Sequence, residues 1–114
     1  MRAGALYIAD LGVARVRGAE QGGLRPVLVV HSHDYARIPN LALVCPLTTR
    51  DRDVPNHVAV LPDAGNGLSA PSFVMTEQVR AIDTRFIRKH VGNVAADLLA
   101  EVLKVLTERL IARR

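Results

Sequence analysis

The sequence predicts a mainly β domain: a small, strongly curved antiparallel sheet or partly open barrel, covered by one C-terminal helix. Three observations carry this. Short apolar runs rich in β-branched residues recur roughly every 10–15 residues, separated by Gly, Pro, Asn and Asp. Towards the end the hydrophobic period changes: Leu99, Val102, Leu103, Leu106 and Leu110 fall on one face of a helix. The chain is 114 residues long, the size of a single domain spanning 1–114 with a core of its own.

The elements follow in order. A first strand runs over 5–11 and stops at Gly12. The stretch 17–23 holds three glycines and no apolar period, so it is a loop. A second strand covers 26–30, with Pro26 at its start, where a missing N–H does least harm. Residues 31–40 form a connection. A third strand covers 41–49 and is apolar on both faces, so both faces are covered. Pro46 within it points to an edge or a bulge. Arg50–Asp53 is a charged loop, and a fourth strand spans 56–61. Asn66-Gly67 reads as a hairpin-type turn. A fifth strand spans 71–79, and a short sixth lies near 87–92. Asn93 is placed to cap the helix that follows. The opposite helix face carries Glu101, Lys104, Glu108 and Arg109, and its apolar stripe packs on the sheet, because the strands need a cover.

Composition excludes several classes. No run reaches the ~18 apolar residues of a membrane helix, and the N-terminus lacks the apolar stretch of a signal peptide. Cys45 is the one cysteine, which excludes an internal disulfide and a zinc-finger-type core and points to the cytoplasm. The net charge of +4 makes the chain mildly receptive to polyanions, with Arg outnumbering Lys 13 to 2. Arginine forks grip phosphate bidentately. The aromatics are Tyr7, Tyr35, Phe73 and Phe86, too thin a set for a base-stacking platform. A nucleic acid would be held by phosphate contacts and hydrogen bonds.

Two polar residues flank long apolar runs: Arg25 opens the second strand and Thr48 nearly closes the third. An antiparallel pairing that sets His31 opposite Ala42 also sets Arg25 opposite Thr48. Cross-strand partners share a face, with Cβ atoms ~5 Å apart. A guanidinium and a hydroxyl would then stand together between loops 17–23 and 50–55. Neither group is a strong nucleophile or a metal ligand. The chemistry that suits them is cleavage of RNA through its own 2′-OH: the substrate brings the nucleophile, and the protein aligns it and stabilises developing charge. The bland alternative is that Arg25 pairs with an acid such as Glu20 and Thr48 caps a strand.

Three segments then carry a resemblance. Arg17-Gly18-Ala19-Glu20-Gln21-Gly22-Gly23-Leu24-Arg25-Pro26-Val27-Leu28-Val29-Val30 resembles the R-G-S-E-Q-G-G-x-R-P-V-L-V-V signature of the MazF/PemK family of toxin endoribonucleases. Val44-Cys45-Pro46-Leu47-Thr48-Thr49-Arg50 resembles its V-x-P-L-T-S/T-R segment, and Glu77-Gln78-Val79-Arg80-Ala81-Ile82-Asp83 its D/E-Q-V-R-x-I/L-D segment. The resemblance implies an SH3-like barrel shared with the CcdB gyrase poisons. It implies a metal-independent, cofactor-free mRNA interferase that cuts single-stranded RNA at short sequences, leaving a 2′,3′-cyclic phosphate and a 5′-hydroxyl. It implies a homodimer with the RNA in a groove along its interface, and a cognate antitoxin whose acidic, extended tail occupies that groove. By the same matching Arg25 and Thr48 are catalytic, Gln78 holds the substrate or the site, and Glu20, Gln21 and Gly22 belong to the substrate loop. Thr49, Arg50, Arg52 and His57 border the groove. The chain departs from the pattern at Arg2-Ala3-Gly4-Ala5, which lacks the family's acid, and in a longer first loop. One family branch uses a His and an Arg where this chain has Ala19 and Met75, which favours the Arg25/Thr48 version.

Other residues carry less. His31 and His33 alternate, with Asp34 nearby, and lack a third metal partner. Cys45 lies mid-strand as a buried, inert thiol. Arg80 and Asp83 suit a structural ion pair. Two rival functions remain: a gyrase poison on the same fold, disfavoured because the chain has no Trp and ends Ile111-Ala112-Arg113-Arg114, and a catalytically inactive RNA-binding barrel.

Overall fold

The protein is described by a computed structural model over residues 1–12 and 23–112. Among these residues seven strands and one helix follow each other: β1 (Ala5–Asp10), β2 (Leu24–Val29), β3 (Leu41–Thr48), β4 (Val58–Val60), β5 (Ser72–Val74), β6 (Arg80–Asp83), β7 (Ile87–Asn93) and α1 (Ala96–Glu108). Single 3₁₀ turns lie at Tyr35–Arg37, Thr76–Gln78 and Thr84–Phe86. The ladders are antiparallel, in the order β4-β5-β3-β2-β1-β7, with β6 also on β3. No ladder joins β4 to β7 among the described residues, so the sheet curls without closing. This is the curved sheet with a C-terminal helix that the sequence predicts.

β3 is the hub. On one edge it pairs with β2: Val27 faces Pro46, Leu28 faces Cys45 and Val29 faces Val44. That is the register expected from setting Arg25 opposite Thr48. Its other edge is shared: residues Leu41–Val44 pair with β6, and Leu47 and Thr48 pair with β5. Pro46 sits at the seam where that edge changes partner. The missing N–H falls in a gap between ladders, which is how proline is tolerated mid-strand without a bulge in the β2 register.

Both faces of β3 are covered, as its apolar run requires. Leu6, Leu28, Cys45 and Leu47 pack with Val58, Val60 and Val74 and with Val102 and Val105 of α1. The other face gathers Ala5, Ala9, Leu11, Val27, Val29, Ala42 and Val44, with Tyr7, Ile82 and Ile87 against them. Each such leucine or valine contributes ~1.5–3 kcal/mol on burial. The helix stripe lies where its period predicts, but its fully buried centre is Val102 and Val105, with Leu103, Leu106 and Leu110 partly covered.

Several strand ends shift by one or two residues from the sequence expectation, with β2 starting at Leu24 and β4 shortened to Val58–Val60, and three differences go further. The single strand at 71–79 is split: β5 ends at Val74, a 3₁₀ turn follows, and β6 is a separate strand on β3. The turn is fixed by the buried Thr76 hydroxyl, which donates to the Asn56 carbonyl at 2.7 Å. Asn93 is not a helix cap. It ends β7, its N–H donates to the Gly65 carbonyl at 2.9 Å, and α1 begins after Ala95 without a side-chain cap. Asn66-Gly67 is not a two-residue hairpin turn either, since Val60 pairs with Ser72 across the whole of 61–71. Asn66 is buried within that loop: its Oδ1 accepts from the Asp63 and Leu68 N–H groups, and its Nδ2 donates to the Leu61 carbonyl. No helix of the described residues is long and apolar enough to cross a membrane.

Candidate active site

The β2–β3 ladder places the expected pair. Val30 donates to the Leu43 carbonyl at 3.0 Å, so 30 and 43 form a hydrogen-bonded pair. In an antiparallel ladder such pairs alternate with non-bonded ones, whose side chains stand closer together. Counting back through Val27 and Pro46, Arg25 and Thr48 fall opposite each other on a non-bonded pair. Both lie at the strand ends, where β2 opens and β3 closes.

The side chains follow. Arg25 Nη1 donates to the Leu47 carbonyl at 3.0 Å, which fixes one corner of its five-donor fork beside Thr48. Thr48 is 7 % exposed, and its Oγ1 accepts from the Arg50 N–H at 3.2 Å. An oxygen that already accepts from the backbone is biased towards donating its own proton. Arg25, Pro26, Leu47, Thr48, Thr49, Arg50 and Arg52 line one open cleft of about 420 Å³. Burial lowers the Arg25 pKa first, and the charges of Arg52 and Arg80 lower it further. The Arg25 guanidinium thus senses two other cations, of which Arg52 shares the cleft, and none of the described lining residues is an acid. A cleft lined by Arg25, Arg50 and Arg52 attracts an anion.

Thr49, Arg50 and Arg52 therefore share the cleft with Arg25 and Thr48, as expected. His57 and Gln78 are placed differently. The His57 side chain is 5 % exposed, and its Nε2 lies 2.9 and 3.0 Å from the two carboxylate oxygens of Glu77. It tethers the end of the 50–57 loop to the Thr76–Gln78 turn, alongside the bond from Thr76 to Asn56. Gln78 closes that turn, half-buried, its N–H donating to the Met75 carbonyl at 3.0 Å. Neither lines the cleft. Glu20, Gln21 and Gly22 lie outside the described residues.

Sequence reasoning missed Arg80 as a neighbour of Arg25. β6 sets Arg80 opposite Val44, on the same face as the Arg25–Thr48 pair. The expected partner Asp83 instead lies 3.6 Å from Arg85 and accepts from its N–H. The missing signal was β6 itself: with 71–79 read as one strand, nothing brought Arg80 back to β3. Among the described residues no group of three or more His, Cys, Asp or Glu gathers as a metal site. Both His31 nitrogens face backbone groups, Nδ1 accepting from the Leu43 N–H at 3.3 Å and Nε2 lying 3.1 Å from the Met1 carbonyl. Burial and the charge of Glu77 push the Cys45 thiol up to about 12, as befits an inert interior group.

Comparison with known proteins adds an independent line. Residues 2–110 match the profile of a family described as the PemK-like, MazF-like toxin of type II toxin–antitoxin systems. The endoribonuclease EndoA of Bacillus subtilis is 31 % identical over 109 residues, covering 93 % of this chain and 90 % of that protein. The crystal structure of MazF from Deinococcus radiodurans superposes with a TM-score of 0.77 at 33 % identity, over 96 % of each chain. A MazE–MazF structure from the same organism gives a TM-score of 0.73 at 34 % identity, over 96 % of this chain and 95 % of that one.

Proposed function

This chain belongs to the PemK-like, MazF-like family of toxins of type II toxin–antitoxin systems, and from that premise we propose that it cuts single-stranded RNA at the Arg25–Thr48 cleft by attack of the substrate's own 2′-hydroxyl. It is an RNA-cleaving enzyme of the toxin–antitoxin class, like the endoribonuclease relatives it resembles. The observation that carries the mechanism is the Arg25 guanidinium, anchored on the Leu47 carbonyl next to the Thr48 hydroxyl.

The roles follow from those groups. The scissile phosphate sits against the Arg25 fork, with Arg50 and Arg52 on its neighbours. Thr48 aligns the ribose 2′-OH through its hydroxyl. The 2′-oxygen bonds to phosphorus and loses its proton to solvent through that hydroxyl. The P–O5′ bond breaks, and the leaving 5′-oxygen takes a proton from the Arg25 side. Charge that grows on the phosphoryl oxygens meets a fixed cation that needs no reorganisation. The lowered proton affinity of Arg25 favours its giving a proton in the final step. The products are a 2′,3′-cyclic phosphate and a 5′-hydroxyl. Since a guanidinium supplies the charge stabilisation, no metal ion is called for.

The partners are proposed on the same footing. The Deinococcus radiodurans neighbour is solved with MazE, and a cognate antitoxin is the matching partner here. An acidic, extended tail complements a cleft lined by Arg25, Arg50 and Arg52. The working unit is a homodimer with RNA along its interface, in the cytoplasm.

The test is cleavage of a mixed RNA panel in EDTA. Cutting, with cyclic-phosphate and 5′-hydroxyl ends, is expected. An oligonucleotide with a single 2′-deoxy substitution 5′ of the cut should survive intact. Cleavage of that substrate at the same bond would sink the mechanism.

A further inference from the structure

The β2–β3 ladder has a gap at one place, and the gap adjoins the catalytic arginine. Val30 donates to Leu43 across the ladder, and Leu28 faces Cys45 two residues further on. The next pair of that parity is Pro26 opposite Leu47. Proline has no N–H, so this rung lacks its backbone donor. The Leu47 carbonyl points towards β2, because its neighbour Pro46 turns its carbonyl the other way to accept from Met75 at 2.9 Å. Leu47 is 2 % exposed, so its oxygen has little access to water. A buried carbonyl needs a partner, and the donor that fills the place is Arg25 Nη1 at 3.0 Å.

We propose that Pro26 is a positioning residue for the reaction: by withholding a backbone N–H from Leu47, it gives that carbonyl to the Arg25 guanidinium and so holds the guanidinium beside Thr48. This rests on the reading of Arg25 and Thr48 as the catalytic pair. The effect is local. An arginine side chain has several rotatable bonds, and one charge-assisted hydrogen bond to a rigid strand carbonyl selects among its rotamers. Any residue at 26 with an N–H would complete the rung and compete for the same oxygen. Pro26 is itself one of the residues that line the cleft, so removal of the ring and restoration of the N–H must be separated.

The chain allows this separation. Cys45 lies at the start of 45–114, so a synthetic 1–44 segment joins to it by native ligation, and the full chain with N-methylalanine at position 26 becomes accessible. Pro26→Ala should lower kcat about 10–100-fold, with KM changed less than about threefold. Its thermal midpoint should stay level or rise, since a ladder bond is gained. N-methylalanine lacks both ring and N–H, and should recover kcat to within about threefold of the parent. A Pro26→Ala enzyme with parental kcat overturns the proposal, and so does a loss that N-methylalanine fails to restore. A second readout does not need catalysis: nitrogen NMR of the Arg25 guanidinium should show slower rotation in the parent and in the N-methylalanine protein than in Pro26→Ala. Unchanged rotation in Pro26→Ala overturns the proposal as well. If the parent cuts no RNA, the functional reading fails, and the NMR comparison alone decides the positioning.

Discussion

Two polar neighbourhoods of this molecule are built on opposite plans. Around Asn66, polar groups close on one another: its amide serves Asp63, Leu68 and Leu61, while the Asp63 carboxylate accepts from the Gly65 and Asn66 N–H groups at 2.8 Å. Gly67, at φ +69°, and Gly92 let this loop lie against β7, where any Cβ would strike the Val91 carbonyl or the Gly65 and Asn66 backbone. Around Arg25 the plan is reversed. The charges of Arg52 and Arg80 lower the proton affinity of Arg25, and the cleft that Arg25 shares with Arg50 and Arg52 is open. The difference separates structure from function. A polar cluster that neutralises itself stabilises the fold, whereas a cluster with excess charge of one sign stores the capacity to bind the other.

The sharpest way to break this comparison is to truncate each cluster and read stability and cleavage together. Arg25→Ala and Thr48→Ala should each lower RNA cleavage by about 10²–10³ or more. Thr48→Ala should move the urea midpoint little, and Arg25→Ala should cost no more than about 1–3 kcal/mol of stability, for the Leu47 carbonyl it leaves without its donor. Loss of folding in step with activity would make the cleft structural. Asn66→Ala should do the reverse. It strips partners from two N–H groups and a carbonyl, at a cost of about 2–4 kcal/mol in denaturant titrations, while kcat/KM per folded molecule stays at the parental value. A stable Asn66→Ala protein with impaired cleavage would reverse the assignments.

Smaller effects sharpen the picture. Arg52→Ala should raise KM roughly 3–10-fold and flatten the salt dependence of RNA binding by about 0.7 in log–log slope, the share of one phosphate contact. An unchanged slope would remove Arg52 from the phosphate track. At neutral pH the smallest effect belongs to Cys45, which serves neither cluster and acts on stability only in alkali. Its thiol is held up to about 12, against 9.0 for an ordinary thiol. The unfolded chain therefore loses this proton first as pH rises, and the folded state is penalised. The contribution of this group to stability is intact below pH ~9 and declines through pH ~12, by at most about 4 kcal/mol. Cys45→Ala should flatten the fall of the urea midpoint between about pH 9 and 11; an equal slope in both proteins would show that other groups carry it.

Much of the site was legible because strands obey simple arithmetic. Once the runs at 26–30 and 41–49 are taken as antiparallel neighbours, one register brings Arg25 to Thr48, and β2 and β3 adopt it. The segments around Arg25, Thr48 and Gln78 named the family that the comparisons also return. What stayed hidden depends on side chains that meet across long separations. The His57 ring has its partner 20 residues away in Glu77, and a run of residues does not announce such a pairing. The Thr76 hydroxyl breaks an apolar run that reads as one strand into β5, a turn and β6. With that break unseen, Arg80 has no path to the Arg25 face.

By itself the chain determined its element types and the central register that sets Arg25 opposite Thr48, because hydrophobic period and cross-strand parity are rules that each residue obeys with its neighbours. Tertiary structure alone decided how the ends of those elements are trimmed and which polar groups are left for chemistry. Asn93 ends a strand because Gly65 reaches it, and Leu47 accepts from Arg25 because Pro26 offers no N–H. Such outcomes depend on which donor meets which acceptor after the sheet has curled, and a hydrogen bond is chosen only when both partners are in place.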